Sequence, residues 1–409
     1  MSRKTALEHA VPTPSKIKIF VVAGEHSGDA LGAKLMQALE PLQPGGIQYA
    51  GVGGHDMEAH GFTSLFPIDD VAVMGPINIL GALPRLMRRV YQTVDAAIAF
   101  KPDIVVIIDS PEFTHPIAKR IRKRAPHIPI VDYVSPSVWA WRPGRAAIMR
   151  GYIDEVLGLL PFEPEAHKRL GGPHCTYVGH PLIERLPEIE NADAIAFSRK
   201  LGLRDEQPVL LVLPGSRRSE VERLLDVFGG TVGILADRYP DLAIVIPVVP
   251  RLKAFVAERT RQWRVIPKLI EGSADKFAAM KRARAALAAS GTVTLELALA
   301  QLPMVVAYKV DRVAAPFLRR LIKAKTVVLA NLVLDENAFP EFLQEDCSAE
   351  NLAAALVPLF DGGAARDAQV AALARMPGLV RLPDGTPSGA AAAATLAVLQ
   401  RAAVKPLSR

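Results

Sequence analysis

Asp109 stands at the end of a strand-like run, Asp103–Ile108, and the residues after it, Ser110-Pro111-Glu112-Phe113, open a helix. In open parallel sheets ligands bind beyond the carboxyl ends of strands, so a carboxylate at that place is a candidate general base. It could equally cap the following helix, and Glu112 could satisfy the helix dipole in its first turn. A second loop, Gly24-Glu25-His26-Ser27-Gly28-Asp29, follows the apolar run Ile17–Ala23 and leads into a helix. Gly24, Gly28 and Gly32 permit close backbone approach, but the spacing is not Gly-x-Gly-x-x-Gly, and Glu25 and Asp29 would repel a pyrophosphate. The loop therefore suits sugar hydroxyls, with Glu25, Ser27, Gly28 and Asp29 as the contacts. A plain turn with Ser27 as its helix cap is the alternative.

The second half carries the opposite charge at the corresponding place. A strand over Pro208–Leu213 runs into Pro214-Gly215-Ser216-Arg217-Arg218-Ser219-Glu220, which opens a helix to about Arg238. Arginines at a helix N-terminus reinforce its positive end, so Gly215, Ser216 and Arg217 are candidate phosphate contacts. Further on, a strand over Ala285–Ala288 leads into Ser290-Gly291-Thr292, a small-residue turn whose hydroxyls and amides could hold a diphosphate. Glu296, one helical turn beyond Thr292, could reach ribose hydroxyls. Simple capping by Ser290 or Thr292, and a lysine partner for Glu296, remain open.

Two stretches address the rest of a substrate. Val134–Arg142 reads Val-Ser-Pro-Ser-Val-Trp-Ala-Trp-Arg and holds two of the three tryptophans; Pro136 and Pro143 keep a strand or helix from running through it. Trp139 and Trp141 either wall a sugar site or plug a domain interface. The second stretch is the apolar segment Val71, Val73, Met74, Ile77, Ile79, Leu80, Leu83, which exceeds one sheet-facing stripe. Gly75, Pro76 and Gly81 should break it, so that some of these side chains point outward beside Arg85, Arg88 and Arg89. An apolar patch with a basic rim suits an anionic bilayer; a dimer contact or packing under the neighbouring domain is the alternative.

The positioning elements alternate strand and helix in two series. The first has further strands at Ile47–Val52, Ile128–Val134, Glu155–Leu160 and near Thr176–Val178; the Pro- and Glu-containing stretch Gly179–Glu190 is a natural hinge. The second adds a helix at Ala192–Leu201 and strands at Leu242–Val248 and Arg264–Ile270. Three units follow: 1–182, 183–385, and a C-terminal helix and tail, 386–409, expected to return to the first domain. With 409 residues, half of them apolar, both domains can bury a core. Cys175 and Cys347 lie far apart without a Cys-x-x-Cys, which argues against disulfides and zinc and fits a reducing cytosol. No signal peptide or membrane span is evident. The net charge of +7 comes in knots on helices, and with few aromatics and no nucleic-acid motif it does not point to DNA or RNA.

Gly24-Glu25-x-Ser27-Gly28-Asp29, Ala72-Val73-Met74-Gly75, Asp109-Ser110-Pro111-Glu112-Phe113, the tryptophan loop, Leu160-Pro161-Phe162-Glu163, Leu213-Pro214-Gly215-Ser216-Arg217, Ala289-Ser290-Gly291-Thr292 and Pro303-Met304-Val305-Val306 together resemble the lipid-A-disaccharide synthases, from about Ile17 to Leu359. The chain departs from the family's Asp-Ala-Pro-Asp-Phe-Asn at Glu112 and Thr114, and His26 falls at a variable position. The resemblance implies a GT-B fold, two Rossmann-like domains facing across a cleft. It implies inverting transfer from UDP-2,3-diacylglucosamine to 2,3-diacylglucosamine 1-phosphate, giving a β-1,6-linked disaccharide phosphate and UDP. Asp109 would be the base, with Arg217, Ser290, Gly291 and Thr292 on the leaving diphosphate. No cofactor is implied, and no Asp-x-Asp pair is present to hold a metal. The expected setting is the cytoplasmic face of a Gram-negative inner membrane, the protein peripheral and a homodimer conceivable. A nucleotide-sugar epimerase, and a membrane-surface protein with a vestigial nucleotide site, are the rival readings.

Overall fold

The computed structural model describes residues 16–72, 76–310 and 325–404, with the side chains of 76–82 outside that description. Among the described residues the named strands form two six-stranded sheets, and every pairing in both is parallel. The first contains β1 (Ile17–Ala23), β2 (Ile47–Val52), β3 (Ile104–Ile108), β4 (Ile130–Tyr133), β5 (Glu155–Gly158) and β6 (His174–Tyr177), in the order β2-β1-β3-β4-β5-β6. The second contains β7 (Val209–Leu213), β8 (Ala243–Pro247), β9 (Lys268–Ile270), β10 (Ala285–Ala289), β11 (Met304–Tyr308) and β12 (Glu341–Leu343), in the order β12-β11-β10-β7-β8-β9. Strand order therefore reverses between β1 and β3 in one sheet and between β7 and β10 in the other. Crevices open at such switch points, beyond the strand ends.

The central strands β3, β7 and β10 form where the sequence runs apolar without alternation, as strands covered on both faces do, whereas the edge strands β2, β6 and β12 are mixed and only partly buried. In β3, Ile-Val-Val-Ile-Ile, all five side chains are fully buried, each worth roughly 1.5–3 kcal/mol against exposure. The short β12 was not anticipated, and β9 starts later than the apolar run before it.

Four helices of the first domain matter for the site: α1 (His26–Leu39), α2 (His55–Glu58), α3 (Pro76–Phe100) and α4 (Pro111–Arg124). The expected break at Gly81 does not occur. Helix α3 runs on through Gly81 and Pro84, and its stripe Leu86, Val90, Val94 is buried. Three such side chains at roughly 1.5–3 kcal/mol each outweigh the ~3 kcal/mol cost of an interior proline.

Among the described residues the chain crosses between the domains twice, and the crossings are stitched together. Tyr177 donates its hydroxyl to the Val380 carbonyl at 2.6 Å, and the Glu184 carboxylate accepts from Lys34 Nζ (2.7 Å) and the Ser388 amide (2.8 Å). After the second crossing, helix Pro387–Val404 packs on α1, and its Ala391, Ala392, Leu396 and Val398 join the core of the first sheet.

Candidate active site at the two switch points

At the first switch point the ends of β1 and β3 enclose a cavity of about 340 Å³. Gly24, Glu25 and Asp109 to Phe113 form its floor, Val71, Ala72 and Leu86 an apolar wall, and Arg217 reaches it from the other domain. The turn that presents Asp109 is unusual: Asp109 and Ser110 both adopt left-handed backbone, with φ of 52° and 45°. Two such residues cost on the order of 1–3 kcal/mol each. Hydrogen bonds hold them there: the Asp109 amide donates to the Tyr133 carbonyl (3.0 Å), and the Thr114 hydroxyl donates to the Asp109 carbonyl (2.7 Å). Gly24 makes room, because a Cβ there would lie 2.4 Å from the Ser110 Cβ.

Burial pushes the Asp109 carboxyl up to about 6, and the negative charge of Glu25 adds to the rise. The Ser110 amide, donating to Oδ1 at 2.7 Å, draws it partly back. A carboxylate that holds its proton close to neutrality is suited to accept one from a sugar hydroxyl. Glu25 itself accepts from the Ser27 hydroxyl, which leaves Ser27 exposed beside the cavity and not capping α1.

Asp29 does not fit the expected sugar-binding role. It is buried, and its two carboxylate oxygens accept from the amides of Gly54 (2.7 Å), Asp56 (2.9 Å) and Met57 (3.2 Å), so it caps α2. Gly28 is likewise a packing residue: a Cβ there would press to 3.2 Å on the Ile108 carbonyl of β3.

The second switch point holds a larger cavity, about 580 Å³. It gathers Gly215, Ser216 and Arg217 beyond β7 and Ser290, Gly291, Thr292 and Glu296 beyond β10. Gly215 has φ 118°, and a Cβ there would strike Glu220 at 2.7 Å; Gly291 has φ 147°. Helix Arg218–Arg238 points its N-terminus into this space. The Ser290 hydroxyl donates to the Val327 carbonyl at 2.6 Å and its amide to the Ala307 carbonyl at 3.1 Å, so the turn presents the amides of Gly291 and Thr292 to the cavity.

Two further residues complete this cavity, one of them the lysine partner left open for Glu296 by the sequence. Lys276 Nζ donates to both Glu296 oxygens (2.8 and 2.7 Å) and lines the cavity, bringing a cation from a helix that carries no local motif. Glu220 accepts from the Ser216 and Arg217 amides (both 3.3 Å) and from the Arg217 guanidinium (2.9 Å). Arg217 borders both cavities, so the two switch points face each other across it.

The model of the lipid-A-disaccharide synthetase family matches residues 19–378. The chain belongs to that family. Lipid-A-disaccharide synthases of Bradyrhizobium diazoefficiens and Nitrobacter winogradskyi are 48% and 49% identical, each alignment covering 94% of this chain and 97% and 96% of theirs. That of Rhodospirillum centenum is 44% identical over 94% of this chain and 95% of its own. Among solved structures, a UDP-GlcNAc 2-epimerase of Neisseria meningitidis bound to UDP-GlcNAc superimposes with TM-score 0.61 at 13% identity, over 94% of this chain and all of that one. A UDP-N-acetylglucosamine 2-epimerase of Rickettsia bellii gives 0.59 at 14%, over 94% and 96%. These likenesses establish the shared two-domain GT-B architecture; the family match sets aside the epimerase and vestigial-site readings.

Within the synthase fold the tryptophan loop takes its interface role. Trp139 packs edge-on against Phe162 (centroids 5.2 Å apart), donates Nε1 to the buried Glu163 carboxylate (3.2 Å), and lies against the core of the second domain. Burial pushes the Glu163 carboxyl up to about 7. Trp141 is half-buried, with the Arg142 guanidinium stacked 4.3 Å from its ring. Neither indole lines the two cavities, contrary to the sugar-wall expectation.

The expected membrane segment is also partly redrawn. Val71 is buried and lines the first cavity. Arg89 pairs with Asp70 and stacks on Phe66 at 4.4 Å, so it is no free rim charge, whereas Arg85 and Arg88 are exposed. Val73 and Met74 lie outside the described residues, as do the side chains of Ile77, Ile79 and Leu80. Among the described residues no helix is long and apolar enough to cross a membrane.

Proposed function

We propose that this synthase-family chain joins UDP-2,3-diacylglucosamine to the 6-hydroxyl of 2,3-diacylglucosamine 1-phosphate, with Asp109 as the general base. The acceptor oxygen attacks the donor's anomeric carbon, the bond from that carbon to the diphosphate breaks, and the configuration inverts to give the β-1,6 link. The hydroxyl proton passes to Asp109, and the electron pair leaves with UDP. Its charge falls to Arg217, the amides of Ser216, Gly291 and Thr292, and the N-terminus of helix Arg218–Arg238. One observation carries this reading: a half-buried carboxylate with its pKa raised to about 6 shares a cavity with the arginine that also borders the second cavity. Purified protein given both acylated substrates should yield the disaccharide phosphate by mass. Conversion of the donor in the absence of acceptor would count against it.

The acyl chains need an apolar route, and the reading places it past Val71, Leu86 and Phe113 toward the segment Val73, Met74, Ile77, Ile79, Leu80. That segment, with exposed Arg85 and Arg88 after it, would rest on the cytoplasmic face of the inner membrane, each basic residue worth about 1 kcal/mol at an anionic surface. Replacing Met74, Ile77 and Leu80 by Ser should release the protein from anionic vesicles and leave UDP affinity unchanged. Undiminished pelleting, even after Arg85 and Arg88 also become Ser, would move the docking face elsewhere.

A further inference from the structure

Next to the acceptor cavity, and sharing Pro111 and Glu112 with it, lies another of about 320 Å³. One face of α4 forms its side, with Glu112, His115, Pro116 and Lys119 at helical spacing; Arg142 and Arg145 close it from the end of the tryptophan loop and the short helix after it. Three cations thus converge on one cavity. Arg145 donates to Glu112 at 2.6 Å, but no described carboxylate lies within ion-pair distance of Lys119 or Arg142. Aromatic faces hold those two instead: Lys119 Nζ is 5.0 Å above the Tyr152 ring, and Arg142 stacks on Trp141. With Glu112 counted, the lining keeps two uncompensated positive charges.

The floor is fixed from behind. Tyr152 shares a 2.9 Å hydrogen bond with His115 Nδ1, and His115 Nε2 is 3.2 Å from Asp132 Oδ2, though out of hydrogen-bond alignment, so both of these buried atoms remain without a hydrogen-bond partner. Burial, then the Asp132 charge, push the Tyr152 phenol up to about 12, so it stays neutral and does not repel an anion. The acceptor cavity differs: Glu112 is taken up by Arg145, but Glu25 and Asp109 have no cation within ion-pair distance among the described residues, so the floor below Arg217 suits hydroxyls better than a phosphate monoester.

We propose that this basic pocket binds the phosphate monoester of the acceptor, holding the sugar by the end remote from the hydroxyl that reacts. The proposal rests on the reading of the acceptor as a glucosamine 1-phosphate delivered to Asp109. The phosphate's charge of about −1.5 to −2 matches the pocket's excess. Arg142 and Arg145 bring planar forks suited to phosphate oxygens, and Lys119 brings a point charge.

The test is a titration with water-soluble glucosamine 1-phosphate and with glucosamine, followed by calorimetry on wild type, Lys119→Gln/Arg142→Gln and Asp109→Asn. The expected result is a preference for the phosphorylated sugar that falls at least tenfold in the double variant and persists in Asp109→Asn. In turnover with detergent-dispersed substrates, the double variant's acceptor KM should rise by at least that factor, with UDP affinity and kcat little changed. If Asp109→Asn retains turnover, the base assignment fails while the phosphate preference still reads the pocket. A preference unchanged in the double variant overturns the proposal. So does lost vesicle pelleting with unchanged acceptor KM, which would give these cations to bilayer headgroups. Should the double variant not fold, as judged by lost UDP binding, Arg142→Gln and Arg142→Lys decide: the first should raise acceptor KM severalfold and the second less, and equal KM values matching wild type would reject the pocket.

Discussion

The two switch points have the same parallel-sheet geometry and opposite electrostatics. Between β1 and β3 the loops bring carboxylates, Glu25 and Asp109, into a small crevice with an apolar wall. Between β7 and β10 they bring a helix N-terminus, Arg217 and Lys276, and the carboxylates present, Glu220 and Glu296, are each tied to a cation. A carboxylate without a cation partner in a buried crevice keeps its proton longer; one held by a guanidinium or ammonium becomes part of the anion-binding wall. One backbone plan thus presents carboxylates at one switch point and cations at the other, the contrast on which the proposed division into proton transfer and leaving-group charge rests.

The strongest way to break that contrast is Asp109→Asn. Turnover should fall ~10²- to 10⁴-fold while UDP binding holds. In wild type, kcat/KM should rise with pH through about 6 as the carboxylate loses its proton. The same group sets a stability signature. Its folded pKa is raised above the unfolded value, so the folded state loses stability as pH climbs from about 4 to 6, by roughly 3 kcal/mol in total. Asp109→Asn should therefore melt several degrees higher than wild type at pH 8 and at the same temperature near pH 4. Equal melting curves at both pH values would mean that the carboxyl is not strained toward its neutral form.

Arg217→Ala should act on the other side, weakening UDP by at least about tenfold, since a charged hydrogen bond to phosphate is worth roughly 1.5–3 kcal/mol. Because Arg217 also borders the Asp109 cavity, kcat should drop too; a change in UDP affinity alone would confine it to donor binding. The smallest effect is expected from Glu220→Gln. Glu220 occupies the Ser216 and Arg217 amides that a diphosphate would use, so removing its charge should tighten UDP a fewfold in equilibrium titration. Weaker UDP binding in this variant would show that Glu220 serves mainly to aim Arg217.

Most of the fold was legible because buried parallel strands leave long apolar runs, and the two small-residue turns that meet at the second cavity were legible as turns because their residues are neighbours in sequence. What was missed depends on partners far along the chain. Asp29 read as a sugar ligand until Gly54, Asp56 and Met57 took its oxygens; Arg89 read as a rim charge until Asp70 and Phe66 claimed it. Helix α3 crosses Gly81 and Pro84 because its buried stripe outweighs local propensity. Which lysine would pair with Glu296 was not legible, because Lys276 lies 20 residues away with no periodicity to announce it, and the three cations of the basic pocket come from two segments, α4 and Arg142 with Arg145, that only folding brings together.

The return of helix Pro387–Val404 to the first domain bears on how the protein is made. Ala391, Ala392 and Leu396 belong to a core whose last strand, β6, leaves the ribosome about two hundred residues earlier. At roughly 5–20 residues per second, the first domain waits on the order of ten to forty seconds with one flank of α1 uncovered, while the second domain can already close on itself. The half of the molecule synthesised first is thus the half completed last. A chain stopped before Pro387 should be cut by protease within the first domain and protected within the second; equal protection of both would show that the helix is dispensable for the first core.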